Sequence, residues 1–171
     1  GGHNEWAGRA QLLYTPNESF DALFNVHARS LTGTAAIFRA NILTPGSNDL
    51  NANFDRGEVY YDSTFNNPQN YDSWGSSANM NFYLDGGMTF TSITGYETAE
   101  GRSLGDIDGG NLVTGPGFIP FPSETQDGLD DLDQFTQEFR LASSDELDTT
   151  WQVGAYFFDG SFDITTVGPN G

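Results

Sequence analysis

The sequence contains no cysteine and no lysine. Without cysteine, a disulfide framework, a thiolate metal site and a thiol nucleophile are all excluded. Without lysine, six arginines face 24 acidic residues, giving a formal net charge of -18 and a pI near 4.1. That field repels phosphate backbones and supplies no basic stripe, so nucleic acid is not an expected partner. Histidine occurs only at His3 and His27, too sparsely for a histidine-based metal site. There is no Gly-x-Ser-x-Gly elbow, no glycine loop with lysine to cradle phosphate and no His-Glu-x-x-His pair, and no enzyme is expected. The amino terminus lacks both an initiating Met and a basic region followed by an apolar run, so the chain reads as an excerpt of a longer protein or a processed product. No run approaches the ~20 apolar residues of a membrane helix. Barrel strands need none, because they place apolar residues at every second position.

Aromatic residues make up 14% of the chain and glycine supplies 21 residues, which favours pleated strands and tight turns over helices. The expected fold is all-β, and 171 residues are enough for one domain with a sizeable core. Phe20, Ala22, Phe24, Val26 and Ala28 alternate with Asp21, Leu23, Asn25, His27 and Arg29, which gives a strand one apolar and one mostly polar face. Upstream, Gly8, Ala10, Leu12 and Tyr14 alternate with Arg9, Gln11 and Leu13, and residues 15–18 supply a turn. A second hairpin is expected from Trp74, Ser76, Ala78, Met80 and Phe82, through Asp85-Gly-Gly87, to Met88–Glu97. In a third, Phe135, Phe139 and Leu141 oppose Thr136, Glu138 and Arg140, with Gln137 breaking the apolar face. Its partner strand starts at Trp151.

The expected hairpins span about 6–29, 74–97 and 134–158, separated by long loops at about 30–72 and 98–133. Short turns on one edge with long loops on the other is the asymmetry of outer-membrane barrels. A soluble sandwich has more evenly spaced turns.

The order of these segments, with Gln134–Ser143 and Trp151–Phe158 following Met88–Glu97, resembles the barrel of TonB-dependent outer-membrane receptors of the iron-complex type. The resemblance implies antiparallel hairpins forming about six strands of a transmembrane β-barrel, within a longer 22-stranded receptor with an amino-terminal plug. It implies outer-membrane lipid around the barrel, a TonB complex contacted through a region ahead of the plug, and import of a scarce nutrient such as a ferric siderophore. Neither plug nor TonB-contacting segment is recognisable here.

On that reading Arg9, His27, Arg29, Glu138 and Arg140 face the lumen, although His27 equally suits a strand histidine bonded to its neighbours. Among the aromatics at Phe38, Phe54, Tyr60, Tyr61, Phe65, Tyr71 and Phe118, the ligand-binding candidates are Tyr60, Tyr61, Tyr71 and Phe118, whose rings suit a planar chelate or sugar. The same rings equally suit packing of loop on loop. Asp127, Asp130, Asp131 and Asp133 are candidate calcium ligands, set against the plainer reading of a solvated acidic loop. No other cofactor is expected. The competing account is a secreted acidic β module that binds calcium or carbohydrate and buries the same apolar residues in a two-layer core.

Overall fold

The computed structural model describes residues 2–34, 38–62, 67–113, 115–121 and 123–168. Six strands, β1 (His3–Asn17), β2 (Phe20–Thr34), β3 (Pro68–Tyr83), β4 (Thr89–Asp106), β5 (Glu124–Ala142) and β6 (Gln152–Val167), form one antiparallel meander in chain order. The expected all-β antiparallel architecture is therefore present. The sheet is open, with β1 and β6 at its edges. Among the described residues no helix is long and apolar enough to cross a membrane.

The strands overrun their expected bounds. Residues 30–34 and 68–72 belong to β2 and β3, while 98–106 and 124–133 belong to β4 and β5. These extensions carry few alternating apolar residues, so periodicity does not mark them, yet their backbones pair rung by rung. A 16-residue strand such as β3 is roughly 50 Å long.

Three short connections lie at one end of the sheet. At the first, β1 runs on to Asn17, whose Oδ1 accepts from the Ser19 amide at 2.9 Å, so the turn sits two residues later than expected. The β3–β4 connection is a single 3-10 turn at Asp85–Gly87, where Gly86 and Gly87 take φ of 79° and 76°, values that disfavour any side chain. The third is closed by the Ser143 amide donating to the Trp151 carbonyl at 2.9 Å and the Trp151 amide donating to Ser143 Oγ at 3.0 Å.

Paired residues project to the same side, so the register sorts side chains into two faces. One is apolar: Leu12, Phe24, Ala78 and Thr94 form one rung, and Ala10, Val26, Ser76 and Tyr96 the next. Near the short turns this face carries an unbroken row of rings, Tyr14–Phe20–Phe82–Phe90–Phe139, with successive centroids 6.4, 4.9, 5.9 and 5.9 Å apart. Trp74 and Tyr96, 5.3 Å apart, begin a second row toward the long loops. The other face carries Asp21, Asn25, His27, Asn81, Glu97, Glu138 and Arg140.

The expected sizeable core is absent. Only Ala22 and Ala99 are buried apolar residues among those described, because a one-layer sheet has nothing to pack against. The lone break in the β5 ladder is a bulge at Asp131, whose φ of 49° is left-handed. Asp131→Gly should leave stability unchanged or raise it by up to ~1 kcal/mol, whereas Asp131→Val should cost roughly 1–2 kcal/mol. The urea midpoint of the purified protein measures both.

Candidate functional site

Arg9, His27, Gly75 and Glu97 pair in register across β1, β2, β3 and β4 on the polar face. Gly75 decides what this row can do. The Glu97 carboxyl occupies the space where a Cβ at Gly75 would sit, so glycine lets Glu97 reach over β3 to β2. There Glu97 Oε2 lies 3.1 Å from His27 Nε2, while Asn25 Nδ2 lies 3.3 Å from His27 Nδ1. A neutral ring that accepts at Nδ1 and donates at Nε2 satisfies both contacts.

Closer to the long loops, Arg29 Nε donates to Glu5 Oε1 at 2.6 Å, and its guanidinium lies over the Tyr71 ring, 5.8 Å from the centroid. Tyr71 lies against Gly101, where a Cβ would come within 2.9 Å of the ring. Here the faces exchange character. Leu31, Tyr71, Gly101, Leu129 and Ile164 make an apolar rung on the otherwise polar face. On the reverse side Asp72 pairs opposite Glu100, and Asp130 binds Arg102 at 3.3 Å and Thr165 at 2.7 Å.

Arg9, His27, Arg29, Glu138 and Arg140 all lie on the polar face, the last two joined at 2.5 Å. The ligand candidates do not form one surface. Tyr71 is on β3, whereas Tyr60 packs against Gly115 and Gly117 in the loops and Phe118 is half exposed in a bridge to Asn111. Tyr61 is half-buried in the same loop region as Tyr60, Phe38 is exposed and Phe54 lies under Arg39. Phe65 lies outside the described residues.

The calcium set needs correction. Asp127, Asp130, Asp131 and Asp133 are in a strand rather than a loop, and the pleat and bulge spread their carboxylates over both faces. Asp130 is taken by Arg102 and Thr165, and Asp133 accepts the Tyr96 hydroxyl at 2.5 Å. Among the described residues no group of three or more His, Asp or Glu side chains is placed to hold a metal ion.

The carboxylates that do converge are elsewhere. Residues 38–62 and 107–121 are tied by Ala40 N to Gly109 O at 2.9 Å and Asn41 Nδ2 to Pro116 O at 3.2 Å. Beneath them Asp106, 1% exposed, accepts from the amides of Asp62 (2.7 Å), Asp108 (3.1 Å) and Gly109 (3.2 Å). Burial raises the Asp108 carboxyl above its ordinary range, against the Gly110 amide bond that lowers it, and Asp106 and Asp62 raise it further. Burial, then the same two charges, raises Glu124. On the apolar face, Gln137 is also fully engaged: it accepts from Thr94 Oγ1 at 2.6 Å and donates to Ser92 Oγ and the Ile93 carbonyl, each at 3.1 Å.

No family model matches the chain, and no curated protein or solved structure matches it either. The sequence does not mark Glu97, whose partner His27 lies 70 residues away; it does mark 106–111 as carboxylates beside glycines, but not the Asp62 amide that Asp106 binds from 44 residues away. The available signal was glycine: Gly75 and Gly101 interrupt strand patterns, which marks close approach.

Because Asp108 and Glu124 have folded-state pKa values above their ordinary ones, loop packing should be firmest below about pH 4. It should weaken as pH rises through the raised values and then level off. Amide exchange at Gly109, Gly110 and Leu112, corrected for intrinsic rate, measures this, and Asp108→Asn should reduce the pH dependence.

Proposed function

We propose that this chain forms part of the barrel wall of an outer-membrane receptor of the TonB-dependent class, importing a scarce nutrient such as a ferric siderophore. The observation that carries the reading is a single-layer antiparallel sheet whose apolar face lies between two rows of rings while its opposite face holds charged and amide side chains. Along β3 the rows are marked by Phe82 and Trp74, eight residues apart, about 27 Å along the strand. With barrel tilt that becomes roughly 20 Å, close to the ~25 Å apolar band of such proteins. From the Trp74 rung, which carries Asp133, the apolar face turns acidic, with Asp72 and Glu100 on the next rung, as water-facing wall would.

Further support comes from the edges. β1 and β6 each present a row of backbone groups that lipid cannot satisfy, and neighbouring barrel strands would pair them. In this arrangement Arg9, His27, Arg29, Glu138 and Arg140 line the lumen, and Tyr71 with Arg29 meets the ligand below the mouth. Transport, driven through TonB, makes no bond, so no catalytic residue is assigned.

Membrane fractionation tests the reading. The protein should remain in outer membranes washed with alkaline carbonate and leave only with detergent. Release into the wash, in folded form without detergent, would overturn it in favour of a secreted acidic module with a second layer over the apolar face.

A further inference from the structure

The apolar face is not flat. Between the two ring rows, Ala10, Ser76, Ala78 and Thr94 floor a groove of about 410 Å³ walled by Phe24 and Tyr96. It crosses β1 to β4, three interstrand steps, or roughly 14 Å. We propose that this groove seats one hydrocarbon chain of a membrane lipid, a fixed acyl site on the wall. The inference rests on the membrane reading and adds a specific occupant to it.

Three features select an acyl chain. No Asp, Glu, His or Arg side chain lines it, although the protein carries a net charge of -18 and acids crowd the face just past Trp74, so the occupant is uncharged along its length. The small floor residues leave a channel that suits a flexible chain, while a peptide strand would bring polar backbone groups with nothing to bond. At one end Thr94 already donates to Gln137, which is itself saturated by Ser92, Ile93 and Glu138, so neither of these two side chains calls for water. A second copy of the protein would lie across the whole apolar face, about 800 Å² on each partner, and would not fill this narrow channel.

The test uses the membrane-extracted protein in phosphatidylethanolamine and phosphatidylglycerol vesicles, with a diazirine on one acyl chain and peptide mapping after illumination. Adducts should concentrate at Ala10, Ser76, Ala78 and Thr94 over Val153 and Phe157, which are also apolar and exposed on the same face. Ala78→Phe adds a six-carbon ring, and by displacing at least about two methylene groups of the occupant should cut adducts at Ala10 and Thr94 roughly tenfold or more and spare Val153. Even labelling across the face, or cross-links to a second copy in place of lipid, would overturn the acyl site while leaving the membrane reading intact. No adduct anywhere on the face would overturn the membrane reading itself. If Ala78→Phe fails to fold, the distribution on the unaltered protein still decides.

Discussion

An antiparallel sheet with one apolar face and no second layer must have that face covered by something outside itself. Every other feature follows from this constraint. Phe20, Phe24, Phe82, Phe139, Val153 and Phe157 each stand to gain up to about 1.5–3 kcal/mol from full burial, and among the described residues no element lies over them. The ring rows give that cover defined limits. Acids begin where the second row ends, at Asp72 and Glu100, and the polarity of both faces reverses there.

The polar face is organised by glycine. Gly75 admits the Glu97 carboxyl and so links three strands through His27, and Gly101 gives Tyr71 a backbone surface to rest on beneath Arg29. Both positions are ones where a strand gains from losing a side chain, since the space serves a longer side chain from the neighbouring strand. At the long-loop end, Asp106 acts as a backbone anchor that holds residues 62, 108 and 109 together. Its neighbours Asp62, Asp108 and Glu124 load that anchor with like charge, which makes the loop pack one pH-sensitive part of the molecule.

How much of this could be read from the sequence varies along each strand. In Phe20–Arg29 the apolar residues alternate without a break, and strand, hairpin partner and facing are all legible. Toward the loops the apolar residues change sides, Leu31 and Tyr71 against Val26 and Trp74, so a single period no longer describes the strand and its end reads as loop. The aspartates at 127–133 read as loop for the same reason: their polarity hides a ladder sustained chiefly by backbone pairing. Gln137 is legible in the sequence as an interruption of the apolar face, but only the fold supplies Thr94 and Ser92 to satisfy it.

The central claim is that hydrocarbon covers the apolar face. The most direct measurement keeps Trp74 as the sole tryptophan, with Trp6 and Trp151 changed to phenylalanine, and compares quenching by lipids brominated near the headgroup end of the acyl chain with quenching by aqueous iodide. The account predicts strong quenching by bromine and little by iodide. Strong iodide quenching with no response to brominated lipid would contradict it.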